Sequence, residues 1–117
     1  MTGPKMQCLR VYTSETRRLG RRPLYEAIVS RAMKLGLAGA TVTRGVMGYG
    51  RSRRIRTTKI LVLFDHMPVV VEIIDTTDLL QALLDDLKPH EPDVLFTLHD
   101  INRIDMRGVS PGHDSDH

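Results

Sequence analysis

The sequence predicts an α+β protein in which two helices lie on one face of an antiparallel sheet. Extended, β-branched segments alternate with two segments at helical spacing, in the order strand, helix, strand, strand, helix, strand. This order is that of the ferredoxin-like βαββαβ sandwich. The 117 residues suffice for one domain with a core and not for two. We expect that domain to span residues 1–107, followed by a disordered, small and polar tail over 108–117.

The first strand is predicted over Met6–Thr13, with Leu9 and Val11 on one face. A polar, basic connection over Ser14–Arg22 leads to Pro23, which suits the first position of a helix. Apolar residues then follow at helical spacing, and Gly36 is a natural stop. The apolar residues of this helix are Leu24, Ala27, Ile28, Ala32 and Leu35.

The second half of the chain repeats the pattern with longer extended runs. We predict a strand over Ala40–Tyr49 and then extended runs over Thr57–Phe64 and Val69–Ile74, broken by Asp65–Pro68, where proline implies a turn, a bulge or an edge position. Asp75 or Thr76 caps a second helix, and Val94–Met106 is a final extended segment. Lys88–Pro92 ends that helix, whose inward residues are Leu80, Leu83, Leu84 and Leu87.

Two of these strands, Ile60–Phe64 and Val69–Ile74, carry apolar residues on both faces. Two helices cover only one face of a small sheet, so the other face needs a different cover. In a chain of this length the simplest cover is another copy of itself, and we expect self-association through these strands.

The segment Gly45–Arg56 carries the strongest binding signal. Three glycines, Gly45, Gly48 and Gly50, are followed by four arginines and no acid; the arginines are Arg51, Arg53, Arg54 and Arg56. Glycine lets a backbone approach a ligand closely, and the arginine fork suits phosphate or carboxylate. The pattern also fits a bulge at a strand end followed by a solvated surface loop.

Composition excludes several other classes. No apolar stretch is long enough to span a bilayer and no secretory signal is recognisable, so we expect a cytoplasmic protein. The lone Cys8 forms no internal disulfide and is expected in the core. No nucleophile, base and orienting group share a readable spacing, so we predict neither catalysis nor a metal site. Nucleic acid ranks lower as a partner because no aromatic residue lies within the arginine cluster.

Three stretches resemble the PII signalling proteins. Gly36–Arg51 is similar to the passage into their T-loop, and Leu63–Asp75 is similar to the returning strand and second helix entry. Arg22-Pro23-Leu24-Tyr25-Glu26 resembles the hallmark of an uncharacterised PII-like family of bacteria and archaea. The resemblance covers roughly residues 6–106 and makes the chain a PII-like domain with a basic, T-loop-like insertion.

The resemblance implies a trimer with small-molecule sites between subunits, and a flexible loop that docks on a partner. It implies an adenine nucleotide as ligand, with Gly50 and Arg51 at the phosphate-contacting loop base and Arg103 or Arg107 reaching the phosphates. One departure is clear: the glycine-rich phosphate loop of PII proteins is replaced by Leu87–Asp93, which has two prolines and no glycine.

We therefore predict a homotrimeric, non-catalytic regulatory protein that binds a small anionic metabolite or nucleotide between subunits. Its ligand residues are Gly48, Gly50, Arg51, Arg103 and Arg107. Its arginine loop meets a membrane transporter, a channel or another regulated protein. In the alternative, that loop docks directly on an acidic partner, a membrane protein or nucleic acid, without any metabolite. A third hypothesis is a related metal-tolerance protein of the divalent-cation type.

Overall fold

The core of the fold is a four-stranded antiparallel sheet covered on one face by two helices. The computed structural model describes residues 3–50, 55–57 and 67–107. Its elements in chain order are β1 (Met6–Ser14), β2 (Arg18–Leu19), β3 (Arg22–Pro23), α1 (Leu24–Lys34), β4 (Thr41–Arg44), β5 (Met47–Gly48), β6 (Arg56–Thr57), β7 (Pro68–Thr76), α2 (Thr77–Leu87), a short 3₁₀ helix (Lys88–His90) and β8 (Leu95–Ile101).

The sheet has the strand order β4-β7-β1-β8, with every neighbouring pair antiparallel. This is the ferredoxin-like arrangement, and it confirms the predicted fold class. At its centre β1 and β7 pair along their whole length, from Met6 opposite Thr76 to Ser14 opposite Pro68. Two small hairpins, β2–β3 and β5–β6, stand outside this sheet.

The hydrophobic core lies between the sheet and the helices. Leu9 and Val11 of β1 are fully buried against Val71 and Ile73 of β7, as their alternation predicts. The helices contribute an inward stripe to the same core, consisting of Leu24, Ile28, Ala32, Leu80, Leu83 and Leu87. Burial of these side chains is the main favourable term in the stability of the fold.

Helix α1 begins and ends close to the predicted signals. Pro23 is its N-cap rather than its first residue, with φ −56° and ψ 140°. Gly36 follows its end at φ 88°, a left-handed conformation that favours glycine. The prediction that Leu35 is buried is wrong: Leu35 is the C-cap and is 37% exposed, whereas Leu37 packs into the core at 8%. The helix ends at Lys34, one residue before the last position of the predicted apolar periodicity.

The second predicted strand is shorter than expected. Strand β4 ends at Arg44, the chain bends at Gly45 and Val46, and Met47–Gly48 pairs instead with Arg56–Thr57. The last strand also ends early, at Ile101. Of the predicted strand Thr57–Phe64 only Thr57 is described, and the predicted tail over 108–117 lies outside the described residues.

Thr76 caps α2, whereas Asp75 accepts hydrogen bonds from backbone N–H groups outside the helix. The Thr76 hydroxyl accepts from the Leu79 N–H group at 3.4 Å. The carboxylate of Asp75, only 7% exposed, accepts from the N–H groups of Ala38 at 2.8 Å and Thr76 at 2.7 Å. A buried carboxylate therefore ties the connection after α1 to the start of α2.

We expect Asp75→Ala to lower the free energy of unfolding by about 1–3 kcal/mol, because it leaves the backbone N–H groups of Ala38 and Thr76 without this acceptor. Asp85→Ala is the matched control, since Asp85 is exposed and, within the described part of the chain, accepts a side-chain hydrogen bond from Gln81. Urea denaturation at one fixed protein concentration measures both. Equal losses in the two variants would show that Asp75 does not anchor the connection.

Candidate functional site

The ends of four strands meet at one edge of the sheet. Strands β1 and β4 end there, at Ser14 and Arg44, and β7 begins there at Pro68. Strand β8 also begins there, since Leu95 pairs with Tyr12. We call this end of the sheet the Arg44 edge. The glycine-rich segment leaves the sheet here at Gly45, whereas the sequence predicted a strand that continues to Tyr49.

A charged pair marks this edge. The Arg44 guanidinium donates to the Glu15 carboxylate oxygen Oε2, and the Glu15 N–H group donates to the Met67 carbonyl at 3.1 Å. The Glu15 side chain is 15% exposed, whereas that of Arg44 is 63% exposed. Arg44 therefore presents a cation to solvent while Glu15 fixes its direction.

Two buried oxygens beside this pair have unused hydrogen-bonding capacity. Within the described part of the chain, neither Glu15 Oε1 nor Thr13 Oγ1 has a hydrogen-bond partner. A buried polar atom without a partner costs free energy, so such atoms indicate a place where a ligand or water supplies the missing donor. The Arg44 edge thus offers both a cation for an anion and acceptors for a donor.

Gly45 and Gly48 pack closely against Pro68. A Cβ atom at Gly45 would lie 3.0 Å from the Pro68 ring carbon Cγ, and one at Gly48 would lie 3.3 Å from the same atom. The Gly45 N–H group also donates to the Pro68 carbonyl at 2.8 Å. Both glycines are needed to let the bend after β4 lie flat on the first residue of β7.

Gly50 is different, since nothing described lies within 4 Å of a Cβ atom placed there. Of the four loop arginines, Arg51, Arg53 and Arg54 lie outside the described residues, and Arg56 pairs through its backbone with Gly48. The β5–β6 hairpin carries exposed apolar side chains. These are Met47 at 58%, Tyr49 at 68% and Ile55 at 58%, next to Val46 at 71%.

The connection between α2 and β8 also reaches the Arg44 edge. It consists of the 3₁₀ helix Lys88–His90, then Glu91 at φ 47°, before the chain enters β8 at Leu95. Pro89 and Pro92 lack N–H groups, so this connection offers few backbone donors to a phosphate. Lys88 and His90 are exposed and supply side-chain donors instead.

The predicted C-terminal arginines do not lie at this edge. Strand β8 runs antiparallel to β1 and ends with Ile101 opposite Met6, so Arg103 and Arg107 follow the opposite end of the sheet. Nine residues of β1 separate the two ends, a span of roughly 27 Å at about 3.4 Å per residue. Within one chain the sheet therefore keeps Arg103 and Arg107 apart from Gly48 and Gly50.

The sheet face away from the helices is only partly apolar. Val70, Tyr12 and Leu95 form one cross-strand row, in which Tyr12 is 40% and Leu95 60% exposed. The next row holds the ion pair of Arg10 Nε with Glu72 Oε2 at 2.8 Å. We call this surface the open face. The sequence predicted its apolar residues but not the charged pair between them.

Cys8 lies on the open face but is only 3% exposed. Burial, reinforced by the nearby Glu72 carboxylate, raises the pKa of the Cys8 thiol. A neutral buried thiol is a weak nucleophile, which agrees with the prediction that Cys8 is a plain core thiol. Among the described residues no three His, Cys, Asp or Glu side chains cluster to hold a metal, and no helix there is long and apolar enough to cross a membrane.

Sequence reasoning missed Glu15 and Arg44 as site residues. Arg44 immediately precedes the glycine segment, which is the signal that was available for it. Glu15 carried no such signal, because it stands in a polar connection 29 positions from Arg44. Only the pairing of β4 with β7, and of β7 with β1, brings them together.

Comparison with known proteins identifies relatives of this chain in sequence. The sequence profile of the DUF190 family, described as "Uncharacterized ACR", matches residues 6–103. A UPF0166 protein of Aquifex aeolicus (strain VF5) is 39% identical over 100 residues, which cover 86% of this chain and 94% of that protein.

Two solved structures share the fold. CPII, a nitrogen regulatory PII-like protein from Thiomonas intermedia K12, has a TM-score of 0.58 at 16% identity, over 83% of this chain and 86% of that one. The divalent ion tolerance protein CutA1 from Ehrlichia chaffeensis has a TM-score of 0.57 at 14% identity, over 91% and 90%. The fold is therefore PII-like and CutA-like.

The three glycines are expected to respond differently to alanine. Gly45→Ala overpacks Pro68 and lowers the free energy of unfolding by about 1–3 kcal/mol, and Gly48→Ala lowers it by less. Gly50→Ala has no such clash and changes it by less than about 0.5 kcal/mol. Chemical denaturation of the three variants checks this order. A loss at Gly50 as large as that at Gly45 would contradict it.

Proposed function

The chain belongs to the DUF190 family, and we propose that it acts as a PII-like regulatory protein without catalytic activity. In this proposal it is a cytoplasmic homotrimer that binds an adenine nucleotide, or another small phosphorylated metabolite, between subunits. The basic loop at 51–56 transmits the bound state to a regulated protein such as a membrane transporter or channel.

The observation that carries this proposal is the mixed character of the Arg44 edge. An exposed guanidinium stands beside two buried oxygens that lack donors in the described part of the chain. A nucleotide matches both features, because its phosphates are anions and its amine and ribose hydroxyls are donors. A simple inorganic anion would use the cation and leave Glu15 and Thr13 unsatisfied.

Adenine nucleotides are the first ligands to test. CPII, which shares the fold, has been solved bound to ADP, AMP and bicarbonate. In this chain Arg51, the first cation after the glycine bend, is the proposed anchor for the phosphate. Gly48 positions the bend on Pro68, and Gly50 leaves room for the ligand.

A complete site requires more than one copy of the chain. Because Arg103 and Arg107 follow the far end of β8, they reach an Arg44 edge only if it belongs to a neighbouring subunit. The open face supports this assembly. It exposes the apolar side chains of Tyr12, Ile74 and Leu95, and Val70 is paired with Tyr12 on the same face. A second copy of the chain would cover these side chains.

The alternative function is direct docking of the loop on a protein partner without a metabolite. One observation favours it: the β5–β6 hairpin exposes Met47, Tyr49 and Ile55 at the base of the arginine cluster. Exposed aromatic and apolar residues beside arginines are typical of protein interfaces. A metal-tolerance role has less support, because the described residues hold no metal-binding cluster.

Nucleotide binding tests the proposal directly. Calorimetry with AMP, ADP, ATP and cyclic nucleotides is expected to detect binding by the wild-type protein. Arg51→Ala should weaken it by roughly ten- to a hundredfold, since it removes a charge-assisted hydrogen bond. Arg51→Lys should recover only part of the loss, because lysine lacks the bidentate fork.

Arg21→Ala is the matched control for that experiment, since Arg21 lies in the turn of the β2–β3 hairpin and is exposed. We expect its nucleotide affinity to equal that of the wild type. If the wild-type protein binds no nucleotide at millimolar concentration, the metabolite proposal fails and direct docking becomes the better account.

Assembly is tested by charge on the open face. Val70→Asp should dissociate the trimer, because an unpaired charge buried between subunits costs several kcal/mol. Met33→Asp is the control, since Met33 lies on α1 and is 74% exposed. Light scattering at micromolar concentration should give a trimer for the wild type and the control. A monomeric wild type refutes the assembly, and a trimeric Val70→Asp refutes the interface.

A further inference from the structure

A separate concavity lies in the helix layer, between the β2–β3 hairpin and the two helices. Its volume is about 270 Å³, and it shares no lining residue with the Arg44 edge. The hairpin contributes Leu19 and Arg22, α1 contributes Ser30, Arg31 and Lys34, and α2 contributes Asp86. The hairpin and α1, which follow one another in the chain, thus meet the distant helix α2 at one small space.

The hairpin fixes the side from which Arg22 approaches. Leu19 and Arg22 are directly paired across the hairpin, so both lie on the same face of it. Leu19 packs against the hydrophobic core, which places that face against α1. The turn is held by a hydrogen bond of 3.1 Å from Arg18 Nη1 to the Arg21 carbonyl. The paired hairpin therefore places Arg22 on the side of the cavity opposite the α1 residues Ser30 and Lys34.

The cavity has an excess of positive charge. Three cations, Arg22, Arg31 and Lys34, face one carboxylate, Asp86. Arg31 Nη1 lies 2.8 Å from Asp86 Oδ2, and this pair is about one third exposed, with side-chain values of 29% and 37%. Among the described residues no ion pair involves Arg22 or Lys34. The remaining charge of about +2 has no counterpart there.

Stabilisation of the helix explains only part of this arrangement. Arg31 and Lys34 occupy the last turn of α1, where cations offset the negative end of the helix dipole. Arg22 precedes the N-cap Pro23 at the other end of α1, so the negative end of the dipole does not explain its place in the cavity lining. The Ser30 hydroxyl adds a neutral donor on the same stripe, four residues before Lys34.

We propose that this cavity is a second anion site that takes the phosphate group of a small phosphorylated metabolite. Arg22 and Lys34 contact the phosphate, Ser30 donates a further hydrogen bond, and Asp86 holds Arg31 at the rim. The volume lies just below the roughly 300–1,000 Å³ typical of sites for drug-sized ligands, which favours a compact ligand. The site lies opposite the open face, so assembly through that face leaves it accessible.

The test uses the full chain with inorganic phosphate and glycerol phosphate as probes, in low-salt buffer. Calorimetry should show saturable binding, and the amide resonances that shift should belong to residues 19–22 and 30–35. Arg22→Gln should weaken binding by roughly ten- to a hundredfold. Arg21→Gln, which removes the same charge one residue away and outside the cavity, should change it less than about twofold.

Asp86→Asn provides a change of opposite sign. It removes the carboxylate that engages Arg31, so binding of both probes should tighten several-fold. Loss of structure cannot produce that gain. Arg51→Ala should leave unchanged the phosphate binding that is followed by the amide resonances of residues 19–22 and 30–35. Arg22→Gln should leave nucleotide binding unchanged. This site and the proposed nucleotide site can therefore be confirmed or refuted separately.

Three results would overturn the proposal. The first is no binding of either probe at about 10 mM, tenfold above a Kd of 1 mM. The second is equal weakening by Arg22→Gln and Arg21→Gln, which would indicate attraction to general surface charge. The third is that the shifted amides cluster away from the hairpin and α1.

Discussion

The pairing of β1 with β7 is the constraint on which the rest of the structure depends. These two strands form the centre of the sheet, and their register sets which residues face the helices. It turns Leu9, Val11, Val71 and Ile73 into one buried layer and leaves the alternate residues on the open face. A shift of one residue would exchange the two faces and expose the core. The buried carboxylate of Asp75 is held on the helix side by the same register.

This pairing also decides what a binding site can contain. Antiparallel strands bring the ends of β1 and β4 and the starts of β7 and β8 to one edge. The same geometry sends the end of β8, with Arg103, to the other edge. A site that combines Arg103 with the glycine bend is therefore intermolecular by construction. The helix-layer cavity has no such requirement, because the hairpin, α1 and α2 of one chain form it completely.

Much of the fold and part of the site were predictable from local patterns. Periodicity gave the faces of β1 and the inward stripe of α2, while Pro23 and Gly36 located the limits of α1 within one or two residues. The glycines and the basic residues after them were recognisable in the same way, but the predicted strand Ala40–Tyr49 ran past Arg44, where β4 ends. The role of Asp75 was not predictable in this way. A carboxylate just before a helix predicts a cap, and its actual partner, the Ala38 N–H group, is 37 positions away.

The sequence by itself determined the order of the elements, the buried faces and the place where basic charge concentrates. These follow from neighbours a few residues apart, since side-chain periodicity and turn chemistry are local. Only the tertiary structure decided that Glu15 orients Arg44, that Arg10 and Glu72 share the open face, and that Arg22 and Asp86 line one cavity. Each of these contacts depends on strand register or helix placement, which long-range burial sets and no local pattern encodes.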